Sequence, residues 1–154
     1  MQGDRAAPSS SPKGEVAIRM ASFTLHTLHY LCTQITYLYK IKKNLNLDYS
    51  QIEFEPFENF KGGEGTMFAK MFFDGTVRIL RAYLPVGASI GYHQHVENCE
   101  IIYVLSGKGT VNLDGVETDV TAGMSTYCEK GHFHSLTNTG TEDLHFFGVV
   151  PEVR

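Results

Sequence analysis

The sequence lacks an excess of basic residues. Its 154 residues include 13 lysines and arginines against 17 aspartates and glutamates, which gives a formal net charge of −4. Nucleic acids and anionic membranes are bound through clustered positive charge, so this composition predicts neither partner. The chain also lacks the run of roughly 20 apolar residues that a membrane-spanning helix requires. Its most apolar stretch, residues 23–39, is shorter and contains two histidines and a glutamine.

Cysteine is scarce and tryptophan is absent. The three cysteines, Cys32, Cys99 and Cys128, form no CxxC pair. An odd number without paired spacing excludes the disulfide framework that is typical of small secreted proteins. We therefore expect packed free thiols in a cytoplasmic protein.

The first third of the chain has no clear strand pattern. Residues 1–20 are polar and rich in serine and proline, which predicts a disordered tail or upstream residues outside the fold. Residues 21–60 form an extension of uncertain structure, since their β-branched and aromatic content suits a strand but their length suits a helix. His26, His29 and Cys32 recur at every third position there. An amphipathic packing face explains this spacing better than a metal site, because the spacing supplies no fourth ligand.

Residues 61–152 have a different pattern. Apolar runs of 5 to 9 residues alternate with turns that contain Gly, Asp-Gly or Asn-Thr-Gly, as in TVRILRAYLP, CEIIYVLSG, KGTVNLDG and EDLHFFGVVP. Regular short strands joined by such turns indicate an all-β sandwich or barrel.

The stretch GYHQHVENCE carries the first candidate site. His93 and His95 are two apart, so they project to the same side of an extended strand. If the next strand is CEIIYVL, Glu100 lies on its inner face, where a carboxylate is costly unless it is paired or bound to a metal. A second pair, His132 and His134, follows in HFHSL. Imidazoles with one carboxylate suit a divalent transition metal.

The same residues resemble the first sequence motif of the cupin superfamily, G-x5-HxH-x4-E-x6-G. Gly87, His93, His95, Glu100 and Gly107 match it at full spacing.

The second cupin motif, G-x5-P-x-G-x2-H-x3-N, is also matched in register. Gly123, Gly131, His134 and Asn138 occupy its fixed positions. The one departure is Glu129, where cupins usually have proline. This difference concerns the rigidity of the turn, since no metal ligand of the motif is lost.

The resemblance implies a double-stranded β-helix, or jelly roll, over residues 61–152, preceded by the N-terminal extension. It also implies that His93, His95, Glu100 and His134 are the ligands of one divalent metal, namely Mn, Fe, Ni or Zn. Gly107 and Gly123 are then expected in tight turns, and Asn138 is expected to close a turn.

Three further residues are candidates for groups that act beside the metal. His132 alternates with His134 and is expected to line the interior or to support the ligands. Tyr103 and Glu129 are the other two, although Tyr103 also fits a packing role and Glu129 a solvated turn.

Two functions follow from the resemblance. The first is a metal-dependent enzyme that acts on a small oxygenated molecule, such as a carboxylate, an enediol or a sugar derivative. Its reaction would be of the decarboxylase, dioxygenase, isomerase or lyase type. The alternative is a cupin that binds a sugar or other effector without catalysis. In both cases we expect a homodimer, with residues 21–46 packed across the dimer interface or on the outer barrel wall.

Overall fold

The structure, a computed structural model, describes residues 46–153. The predicted tail, most of the predicted extension and the spaced residues His26, His29 and Cys32 lie outside this range. Among the described residues, no helix has the length and apolar character needed to cross a membrane.

The described chain consists of β-strands joined by short turns, as the alternating sequence pattern predicts. Two 3₁₀ turns, Tyr49–Gln51 and Phe60–Gly62, are the helical elements among these residues. The strands are β1 Glu55–Glu58, β2 Thr66–Phe73, β3 Val77–Leu84, β4 Ser89–Gln94, β5 Glu100–Ser106, β6 Lys108–Leu113, β7 Val116–Thr121, β8 Ser125–Cys128, β9 Phe133–Thr137 and β10 Leu144–Pro151.

These strands form two antiparallel sheets. The larger has the order β1-β2-β3-β10-β5-β8, and the smaller has the order β4-β9-β6-β7. The predicted barrel starts at residue 61, whereas the larger sheet already includes β1, which pairs with β2 from Glu55 opposite Ala69. The prediction of an all-β jelly roll is confirmed.

The core lies between the inner faces of the two sheets. Leu84, Val104, Leu144 and Phe146 are fully buried. In β5, buried Glu100, Ile102 and Val104 alternate with exposed residues, so this strand places one carboxylate among apolar neighbours. Successive side chains of a strand point to opposite faces of the sheet. The position of a polar residue in the strand therefore determines whether it lies in the core.

Two predicted turn glycines have backbone conformations that favour glycine. Gly107 and Gly123 have φ values of 82° and 90°. At Gly107 a β-carbon would also lie 2.7 Å from the carbonyl oxygen of Asp143. Asn138 is buried, and its amide group donates to the carbonyl oxygens of Leu84 and Glu142. Its predicted role in closing a turn is thus confirmed.

The outer face of β6 and β7 differs in polarity from the outer face of the larger sheet. Outward residues of β6 and β7 include Thr110, Asn112, Glu117 and Asp119. The larger sheet instead presents the outer aromatic face, defined here as Ile101, Tyr103, Leu105 and Tyr127, whose exposed fractions are 43%, 43%, 42% and 52%. An exposed patch of this kind marks a contact surface.

Beside this face lies a recess of about 570 Å³, lined by Arg81, Leu105, Ser106, His145 and Phe147. It contains none of the four residues that match the cupin ligands. Arg81 therefore faces the outside of the larger sheet.

We predict that the outer aromatic face forms the interface of a homodimer. Tyr103→Glu should convert the wild-type dimer to a monomer, because the interface would have to bury an unpaired charge. Light scattering would measure the mass. Val116→Glu is the matched control, since Val116 is an exposed apolar residue of the smaller sheet. A monomeric wild type, or a dimer that tolerates Tyr103→Glu, would contradict this prediction.

Candidate metal centre

The three predicted histidine ligands come from the smaller sheet and the glutamate comes from the larger one. His93 on β4 lies opposite His134 on β9, and a register shift precedes this pair. His95 follows the end of β4, and Glu100 is the first residue of β5. The site therefore spans the space between the two sheets.

The ligand atoms of these four residues converge. Nε2 of His95 lies 2.9 Å from Nε2 of His134, and Oε2 of Glu100 lies 3.0 Å from Nε2 of His134 and 3.2 Å from Nε2 of His95. One ligand atom from each residue, His93 included, falls within 4.8 Å of the others. His95, Glu100 and His134 are buried, and His93 is partly buried.

Hydrogen bonds behind two of the rings direct their Nε2 atoms into the site. Nδ1 of His93 donates to the carbonyl oxygen of Gly91 at 2.8 Å, and Nδ1 of His95 donates to Oδ1 of Asn98 at 2.6 Å. In the neutral rings, the Nε2 lone pairs then point inward. The role of Asn98 is not evident from the sequence, because nothing in its position beyond its closeness to His95 distinguishes it from a loop asparagine.

The charge states of Glu100 and His93 suit a cation. Burial alone would raise the pKa of Glu100, but hydrogen bonds from His134 and His95 outweigh it and lower that pKa to about 2. Burial lowers the pKa of His93, which favours the neutral ring. For His95, burial acts in the same direction, but the bonds to Glu100 and Asn98 outweigh it and raise the pKa.

These four residues fit one divalent metal. Two donors in adjacent octahedral positions, each about 2.1 Å from the ion, lie about 3.0 Å apart, which is close to the separations seen here. A neutral His95 also directs a lone pair at an ionised carboxylate, and this arrangement is repulsive unless a proton or a cation lies between them. An octahedral ion held by these four residues keeps two positions for other ligands.

The prediction that His132 lines the interior is wrong. Its side chain is 52% exposed, and Nδ1 lies 2.6 Å from Oδ2 of Asp114. The physical reason is that β9 begins at Phe133, so the alternation that buries His134 no longer constrains residue 132. Only the backbone of His132 supports the site, since its carbonyl oxygen accepts from the amide of His95.

The other two candidates also lie away from the cluster. Tyr103 is on the outer aromatic face, because it alternates with the buried Ile102 and Val104, so its proposed role beside the metal is wrong. Glu129 is exposed in the turn before β9, as the solvated-turn interpretation predicts.

The described cysteines are buried free thiols. Cys128 lies opposite Glu100 on the neighbouring strand, and burial raises the pKa of its thiol to about 11. A thiol with this pKa stays protonated at neutral pH and is a poor nucleophile. The expectation of packed thiols is confirmed for Cys99 and Cys128, while Cys32 lies outside the described residues.

Comparisons with known proteins agree with this geometry. Residues 80–150 match the model of the cupin domain. An oxalate-binding protein of Thermotoga maritima is 34% identical over 107 residues, which cover 66% of this chain and 88% of that protein. The chain belongs to the cupin superfamily.

Solved structures show the same cupin fold. A predicted oxalate decarboxylase from Thermotoga maritima has a TM-score of 0.67 and 31% identity, over 70% of this chain and 99% of that one. An RmlC-like cupin from Shewanella frigidimarina has a TM-score of 0.59 and 21% identity, over 70% and 90% of the two chains. The second likeness concerns the fold alone.

We predict that His93→Ala and His134→Ala each remove most of the bound metal. Each variant deletes one of the converging Nε2 atoms, and a site that loses one of four ligands binds its ion far more weakly. Metal content after reconstitution and gel filtration would be measured by mass spectrometry. His132→Ala is the matched control and should keep near-wild-type metal. Equal loss from all three variants would contradict this ligand set.

A second prediction concerns Asn98. Asn98→Ala should weaken metal binding by about 10- to 100-fold, because the ring of His95 loses the acceptor that orients it. Asn98→Asp keeps an acceptor and should retain most of the affinity. Competition with a metallochromic chelator would measure both, and equal affinities of Asn98→Ala and the wild type would show that Asn98 does not orient His95.

Proposed function

We propose that this protein is a mononuclear metal-dependent cupin enzyme that binds a small dicarboxylate of the oxalate class. The observation that carries the proposal is the convergence of one ring nitrogen from each of three histidines and one oxygen of the Glu100 carboxylate within 4.8 Å. Mn, Fe, Ni and Zn are the candidate ions. Such an ion, when bound, supplies Lewis-acid stabilisation of negative charge on substrate oxygens.

The residues of the chain supply the holding and orienting functions. His93, His95, His134 and Glu100 would hold the ion, and Asn98 and the Gly91 carbonyl would orient two of the rings. With one anionic ligand, Glu100, the site keeps a net positive charge when it holds a divalent ion. A small dicarboxylate would suit this positive charge and could bind such an ion through two oxygens.

The choice of oxalate rests on the matches from Thermotoga maritima, a protein named for oxalate binding and a solved structure named for predicted oxalate decarboxylation. Decarboxylation of monoprotonated oxalate to formate and carbon dioxide is redox-neutral and balances without a further reactant. We therefore propose it as the reaction to test first.

The alternative is a cupin that binds the dicarboxylate as an effector without converting it. One observation favours it. The three candidates for proton-transfer groups, His132, Tyr103 and Glu129, all have exposed side chains: Tyr103 points out of the barrel from β5, and His132 and Glu129 lie in the turn before β9. Proton transfer in the enzyme would then have to use a water molecule or a ligand residue.

The experiment is calorimetric titration of oxalate into protein reconstituted with Mn²⁺, followed by assays for formate and carbon dioxide. We expect oxalate binding by the wild type and its loss in His134→Ala, because the substrate binds through the metal. Formate production would support the enzyme, and binding without product would support the alternative. A metal-loaded wild type that binds no oxalate would overturn the proposal.

A further inference from the structure

The segment 59–65, called here the Lys61 loop, lies directly against the strand that carries His93. At Gly91 a β-carbon would lie 2.3 Å from the carbonyl oxygen of Lys61. At Gly63 it would lie 2.2 Å from the carbonyl oxygen of Ser89. Only glycine, which has no β-carbon, can occupy positions 63 and 91 when the two backbones lie this close together. The contact at Gly91 holds the Lys61 loop against β4 at a point two residues before His93, the first histidine ligand.

Hydrogen bonds hold the Lys61 loop in this place. The amide of Ser89 donates to the carbonyl oxygen of Glu64 at 2.8 Å, and the amide of Glu64 donates to Oγ of Ser89 at 2.8 Å. The amide of Asn59 closes the loop on the carbonyl oxygen of Gly65 at 2.8 Å. The position of residue 61 relative to β4 is therefore set by the backbone.

Lys61 itself has a left-handed backbone conformation, with φ 56° and ψ 26°. This region strains a residue that has a β-carbon, whereas glycine adopts it freely. Glycines follow at positions 62 and 63, yet position 61 carries a long cationic side chain. Strain of this kind at the edge of a site is a reason to look for a function of the side chain.

The ammonium group of Lys61 is available to a ligand. Among the described residues its recorded contact is with the ring of Phe60, at 5.9 Å from Nζ to the centroid, and it has no carboxylate partner. The backbone of Lys61 lies against Gly91, two residues before His93, so its side chain starts beside the ligand strand.

Other described cations near the barrel are engaged or directed elsewhere. Nζ of Lys70 donates to the carbonyl oxygen of Tyr49, the guanidinium of Arg78 lies over the ring of Phe73, and Arg81 lines the outer recess. Lys61 thus combines a free charge with a fixed position beside the ligand strand.

We propose that Lys61 is the anion-binding residue at the edge of the metal site, and that it pairs with the oxygens of the dicarboxylate that are not on the metal. This inference rests on the proposed function. It makes Lys61 a determinant of specificity, because a dianion gains a second charged contact that a monocarboxylate lacks.

The test uses the full chain reconstituted with Mn²⁺ and calorimetric titration with oxalate and with acetate. Lys61→Met keeps the length of the side chain and removes the charge. We expect oxalate affinity to fall roughly ten-fold or more, acetate affinity to change much less, and metal content to stay at the wild-type level. Lys61→Arg should retain most of the oxalate affinity, and Lys108→Met, which removes the same charge from an exposed position, should change nothing.

Lys61→Gly separates function from folding. It relieves the left-handed strain, so we expect a higher melting temperature together with the same loss of oxalate affinity. Unchanged oxalate binding in Lys61→Met and Lys61→Gly would overturn the inference while the proposed function stands. Metal loss in Lys61→Met would also overturn it, because the side chain would then have a structural role. A wild type that binds Mn²⁺ but no oxalate would overturn the proposed function itself.

Discussion

An ionised carboxylate in the space between two sheets is the constraint on which this structure depends. Glu100 is buried at the first position of β5, and it stays charged because His95 and His134 lie 3.2 and 3.0 Å from its Oε2 atom. A charge without such partners would cost several kcal/mol in the core. The fold therefore has to place β4 and β9 close to β5. The register shift in the β4–β9 pairing determines that His93 lies opposite His134.

The two sheets meet this constraint in different ways. The smaller sheet and the residue after β4 supply the three imidazoles, and the outer face of β6 and β7 is polar, whereas the larger sheet supplies one carboxylate and most of the apolar core. Its outer aromatic face remains exposed among the described residues. The functional site is thus inside the barrel, and the surface suited to another protein copy lies on the opposite side of the larger sheet. Substitutions on the outer aromatic face should therefore leave the metal ligands in place.

Much of this organisation could be predicted from the sequence, because it follows from alternation and spacing. In β5, the alternation of side chains places Glu100 inside the barrel and Tyr103 outside it. The two cupin motifs identify the four candidate ligands. Alternation fails at His132, since it applies only within a strand and β9 starts one residue later. Asn98 and Lys61 could not be predicted because their roles depend on contacts between segments: a ring orientation in one case and a backbone approach at Gly91 in the other.

The distribution of polar groups bears on whether the site converts its ligand or only holds it. Conversion of a carboxylate requires proton delivery, and the side chains first considered for this task are all exposed to solvent. Binding requires only complementary charge, and the ionised Glu100 leaves a divalent ion with a residual positive charge for an anion. Lys61 adds a second positive charge from a strained backbone, at a cost in stability that a glycine would avoid. The strain at Lys61 supports the proposal that its side chain holds a dianion.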